Sequence, residues 1–239
     1  MRYARTLVEA YLYFDLAAAE SGAAGDVRAR TTLTEGQDAW TLRFGGADDA
    51  GQGDDADQAG QGQGNRILDA LQGDDADQAG QGQGNRILDA LQGHDAARDR
   101  PEPIEVRVRY STEEAARRRG LRFGSDTSEL IDAGQWIQLS TVYARRALRE
   151  GIAYAQDPSE ERHRDVVADW EFARDAAIEA AKHLPEDADE IPDEAIWTPL
   201  GAETRRAAPD RFTRDRLDRD IAFYQQSLED ARRQRGGAA

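Results

Sequence analysis

The sequence predicts an α+β protein: an N-terminal helix and a small three-stranded antiparallel sheet, packed with a C-terminal bundle of about four helices. Three observations carry that expectation. Apolar residues recur at helical spacing near the N-terminus, alternate with polar ones in three short segments between residues 27 and 110, and return to helical spacing beyond. The order is helix, strands, then helices, which favours segregated elements over an alternating parallel βαβ sheet.

The first helix, residues 3–20, aligns Tyr3, Leu7, Tyr11, Phe14 and Ala18, with Val8 and Leu12 widening the stripe and Gly22 placed to end it. Val27, Ala29, Thr31 and Leu33 then alternate with polar neighbours, as do Trp40, Leu42 and Phe44, and residues 34–38 between them suit a hairpin turn. A third strand places Ile104, Val106, Val108 and Tyr110 on one face and Glu105, Arg107 and Arg109 on the other. Ser111 and Glu114 have the spacing of a capping box ahead of a short helix that stops at Gly120. A long helix over 126–156 carries Leu130, Trp136, Ile137, Leu139, Val142, Tyr143, Leu148 and Ile152, with Gly134 and Gly151 as weak points. Asp157 as cap and Pro158 at the first helical position announce the next helix, whose stripe is Val166, Trp170, Ala173, Ala177, Ala181 and Leu184. After an acidic connection with Pro192 and Pro199, a last helix from Asp210 aligns Leu217, Ile221, Tyr224 and Leu228.

Between the second and third strands, residues 45–103 hold 12 of the 22 glycines, no aromatic residue, 13 acids and 4 arginines. Within them Gln52–Gly73 recurs letter for letter as Gln72–Gly93, a shift of 20 residues. Identity of that kind marks a recent duplication, and an insertion of this size is tolerated where the backbone is exposed and its ends can stay put. The segment reads as a disordered acidic Gly/Asp/Gln-rich insertion in a single α+β domain spanning residues 1–239.

The net charge is −16, of which this insertion supplies −9. Lys182 is the single lysine beside 30 arginines, and 29 aspartates outnumber 18 glutamates. That balance predicts the proteome of an extreme halophile, although GC-rich codon usage also favours Ala, Arg, Gly and Asp. At molar salt the Debye length shrinks to about 3 Å, so clustered carboxylates scarcely repel one another. An acidic total therefore does not exclude a nucleic-acid partner. The absence of cysteine excludes disulfides, zinc–thiolate sites and thiol nucleophiles. The apolar stretch 10–19 is broken by Asp15, so the expected location is the cytoplasm, with no membrane partner.

No motif commits the chain to a chemistry. Asp55, Asp57 and Gly60 start like a calcium loop, but Ala59 and Arg66 occupy positions that need oxygen ligands. Gly60, Gly62 and Gly64 resemble a phosphate-cradling turn without the preceding strand, and Asp54, Asp55 and Asp57 would repel the anion. Glu160 and His163 have the Glu-x-x-His spacing of di-iron bundles, yet no second pair exists. His94, His163 and His183 are expected at the surface, and neither metal nor other cofactor is expected. Glu161, Asp165 and Asp169 would line one helix face and could, with His163, hold a metal for hydrolysis; a hydrated acidic face is the plainer reading.

The local anomaly is basic. Arg107, Arg109, Arg117, Arg118, Arg119 and Arg122 face only three glutamates between residues 104 and 122. Arginine forks suit phosphate, so these six are the candidate anion- or nucleic-acid-binding residues; pairing with the adjacent acidic insertion or with Glu105, Glu113 and Glu114 is the structural alternative. With no catalytic constellation visible, the sequence favours a non-enzymatic protein-interaction or structural module that meets a partner through helical surfaces. A nucleic-acid-associated regulator and a metal-assisted hydrolase are the alternatives.

Overall fold

The computed structural model describes residues 1–22, 26–45 and 103–234. The duplicated segment, the calcium-like and glycine-rich motifs and His94 lie outside the described residues. The chain divides into two compact units, Met1–Leu130 and Ile131–Ala239. The first is α+β and the second is helical.

The first unit opens with a strand, β1 (Arg2–Ala4), followed by α1 (Leu7–Glu20), the hairpin β2 (Thr31–Glu35) and β3 (Ala39–Phe44), then β4 (Ile104–Arg109) and α2 (Tyr110–Arg119). The sheet order is β1-β4-β3-β2, with β1 parallel to β4 and the other pairs antiparallel. The sheet is thus four-stranded and mixed, not three antiparallel strands. Three residues are too few to show an alternation, and Tyr3, expected on the first helix, pairs with Arg107 instead. Likewise Val27 to Arg30 form turns, and β2 begins at Thr31.

One sheet face is the core. Ala4, Leu42, Phe44, Val106 and Val108 are buried there, and Phe14 of α1 stacks on Phe44 at 5.5 Å. The start of α1 is fastened by polar groups. Thr6 caps it by accepting from Glu9 N–H at 3.2 Å and donates its hydroxyl proton to the Arg122 carbonyl at 3.1 Å. Glu113 of α2 accepts the Leu7 N–H at 2.8 Å. The buried Glu9 carboxylate is held by Arg5, 2.6 Å away. The capping box expected from Ser111 and Glu114 is absent, because α2 begins at Tyr110, two residues earlier than such a cap implies, and Arg109 takes the cap position without a side-chain bond. Gly120 ends α2 at φ 66°, a conformation that costs any side chain energy. Gly120→Ala is expected to lower stability by about 1 kcal/mol, read as a shift in the urea midpoint in molar KCl.

The second unit contains α3 (Ala133–Gln156), α4 (Glu160–Ala181), α5 (Pro199–Ala207) and α6 (Arg214–Gln234), with 3-10 turns at Asp193–Ala195 and Pro209–Phe212. Helix α3 packs most extensively on α4, and α4 on α6. Buried Ala144, Ala147, Ala173, Ala176 and Ala180 leave room for close approach of neighbouring backbones. Tyr143 stacks on Phe172 at 3.8 Å between ring centres, and Trp170 lies 6.0 Å from Tyr224.

Several boundaries differ from the sequence reading. Helix α3 starts at Ala133 rather than near Asp126, because Asp132 and Gln135 form a capping box. It runs unbroken through Gly134 and Gly151. Asp157 closes α3, and Ser159 is the residue that caps α4. Pro199, placed in the acidic connection, is the first residue of α5, capped by Thr198. Asp210 sits in a 3-10 turn, and α6 begins at Arg214.

Candidate functional site

The six singled-out arginines fall into two groups. Arg107 and Arg109 project from the outer face of β4, opposite the core face. Arg107 lies 3.8 Å from the exposed Asp38, and its Nε is buried without a hydrogen-bond acceptor. Arg109 stacks its guanidinium 4.9 Å above the Tyr3 ring. Arg117, Arg118 and Arg119 occupy the exposed last turn of α2, where their charge complements the C-terminal end of the helix dipole. Arg117 pairs with Glu113 at 3.6 Å and Arg118 with Glu114 at 3.8 Å. Arg122 follows in the connection after α2 and is half-buried. Register adds a residue that spacing alone misses: Arg43 of β3 stands opposite Glu105, on the face that carries Arg107 and Arg109.

The acids of α4 do not act together. Glu161 is exposed, Asp165 half-buried, and Asp169 buried against Arg146, 3.1 Å away. Among the described residues no group of three or more His, Asp or Glu side chains is placed to hold a metal ion. His163 and His183 are buried, against the surface positions expected of them. His163 donates through Nε2 to the Ala231 carbonyl at 2.9 Å, tying α4 to α6. It also borders a groove of about 350 Å³ lined by Arg164, Val167, Ala168, Glu171 and Arg232, the last two ion-paired.

Two features are invisible to sequence spacing. Leu148 and Ile152, placed on the apolar stripe of α3, are 51% and 63% exposed. They lie four residues apart on one face, beside the exposed Arg145 and Arg149. Asp15, noticed only as a break in an apolar stretch, is 2% exposed. Burial pushes its carboxyl up to about 8, against the lowering effect of Arg28 and with some help from Asp26.

No family model matches the chain, and no curated protein or solved structure is significantly similar to it. Among the described residues no helix is long and apolar enough to cross a membrane.

Proposed function

We propose that this chain is a non-enzymatic protein-interaction module of an extreme halophile's cytoplasm. It binds an acidic amphipathic helix of a partner protein along α3. The observation that carries this reading is the exposure of Leu148 and Ile152 beside Arg145 and Arg149. Two large aliphatic side chains one turn apart match the anchors by which helices dock in register. Their burial against a partner would contribute about 25 cal/mol per Å² of apolar surface removed from water.

Two arginines along one side of that strip, in a chain of net charge −16, suit a partner with carboxylates along the matching edge. At molar salt the charges contribute orientation more than affinity, because screening acts within about 3 Å. The apolar strip supplies most of the binding energy. The fates of Asp169, paired with Arg146, and His163, bonded to Ala231, also favour binding over hydrolysis, since both residues hold helices together.

The test is purification of the full chain from its native cells in molar KCl, after cross-linking, with wild type beside a Leu148→Asp/Ile152→Asp variant. A protein recovered stoichiometrically with wild type should be lost from the variant at unchanged melting temperature. Equal recovery by both, or none by either, would overturn the assignment. A wild-type dimer that the variant dissolves, read by sedimentation, would give the face to a second copy instead.

A further inference from the structure

We infer that the outer face of the first unit's sheet binds single-stranded nucleic acid, independently of the α3 face. Residues on this face form rows across the strands. The central row runs Tyr3, Arg107, Thr41, Thr34 across all four strands, and a second row runs Glu105, Arg43, Thr32. Arg109 stands two residues from Arg107 on the same face of β4. Helix α1 covers the opposite face through Phe14 and Phe44, whereas Thr32, Thr34, Arg43 and Arg109 are exposed.

Charge and shape both select the occupant. Three arginines outweigh Glu105 and the neighbouring Asp38 on this surface, in a chain that is otherwise strongly acidic. Neither Arg43 nor Arg109 forms an ion pair with another described residue, and Arg107 pairs only with the exposed Asp38, at 3.8 Å. These guanidinium groups keep donors for phosphate oxygens. Strand geometry sets Arg107 and Arg109 about 6.8 Å apart and makes four strands about 14 Å wide. An extended chain of phosphates can follow such a platform, with threonine hydroxyls beside it as further donors. The Arg109 guanidinium over Tyr3 offers a flat stacked pair on which an unpaired base can lie. A duplex hides its base faces, so a stacking platform is used fully only by an unpaired strand.

The test uses the full chain and fluorescein-labelled 12-nucleotide thymidine and uridine oligomers. Anisotropy is followed from the lowest KCl concentration that preserves the native circular dichroism up to about 3 M. Binding is expected for wild type, with log affinity falling against log salt at a slope of about −2, as three phosphate contacts on a single strand require. The Arg43→Ala/Arg107→Ala/Arg109→Ala variant should bind at least about tenfold more weakly with a slope near zero. The Arg117→Ala/Arg118→Ala/Arg119→Ala variant and the Leu148→Asp/Ile152→Asp variant should bind as wild type does. No binding by folded wild type, equal binding by the sheet-face variant, or tighter binding of the thymidine oligomer once annealed to its complement would each overturn the assignment.

Discussion

Replacing Asp132 with alanine is expected to lower the melting temperature of the second unit by at least about 12 °C. Asp132 is 0% exposed and serves two helices at once. Its Oδ1 accepts the Gln135 N–H at 2.8 Å, while Gln135 Oε1 accepts the Asp132 N–H at 3.1 Å, closing the capping box of α3. Its Oδ2 accepts from Trp197 N–H at 3.0 Å, Thr198 N–H at 2.7 Å and the Thr198 hydroxyl at 2.6 Å, at the start of α5. One carboxylate thus answers the unsatisfied N–H groups of two helix ends, where negative charge is also favoured by the dipoles.

The glycines around it are part of the same arrangement. A Cβ on Gly134 would come within 2.5 Å of the Gly201 Cα, and one on Gly201 would collide with the Asp132 carboxylate. Hydrogen bonds to a charged group contribute about 1.5–3 kcal/mol each, though not additively. A combined loss of at least about 3 kcal/mol is therefore expected, and each kcal/mol moves a unit of this size by about 4–8 °C. Asp132→Asn, which keeps an acceptor, should lose less. Thermal scans by circular dichroism in molar KCl decide the matter, and a change within about 3 °C for Asp132→Ala would refute the clamp.

The second large effect is a dependence of stability on pH that one substitution removes. Asp15 lies buried in α1, and the groups acting on it are Arg28, which lowers its affinity for a proton, and Asp26, which raises it. Its folded value of about 8 lies above the 3.8 of an ordinary aspartate. Below the lower value both states hold the proton, and the buried neutral acid makes its full contribution. Between the two, the folded state binds more protons than the unfolded, so stability falls as pH rises. The slope approaches about 1.4 kcal/mol per pH unit and flattens once the folded acid ionises near its own value.

Asp15→Asn keeps the size and neutrality of the acid without its titration. The variant is expected to gain at least about 2 kcal/mol over wild type at pH 8, the gain shrinking towards pH 5. Urea midpoints across that range, taken as the difference between the two proteins, isolate this group from the other acids. Parallel curves would show that Asp15 is ionised in the folded state.

Both effects mark where local pattern stops carrying information. β3, β4 and the hairpin turn were legible because their side chains alternate over enough residues to establish a face. β1 was not, since three residues acquire their register only by pairing with β4, about a hundred positions away. The starts of α3 and α5 carried readable signals, Asp132 with Gln135 and Thr198 before Pro199. They were overshadowed by apolar spacing that runs through Leu130 and by the acidic, proline-containing composition around Pro192 and Pro199. Alternation placed Arg107 and Arg109 on one face, yet only register brought Arg43 beside them.

The sequence by itself determined the α+β class, the acidic composition with its nearly complete replacement of lysine by arginine, and which residues share each helix or strand face. Those properties follow from neighbours a few positions apart. The tertiary structure alone decided which apolar faces are covered. Leu148 and Ile152 belong to the same amphipathic helix as Trp136 and Tyr143, but remain in water while the latter are buried. It also decided that Asp15 is buried, which pushes its carboxyl up, and that Asp132 holds the cap residue of a helix beginning 67 residues later. Periodicity specifies a direction around an element's own axis, whereas burial and long-range hydrogen bonding depend on what the rest of the chain places in that direction.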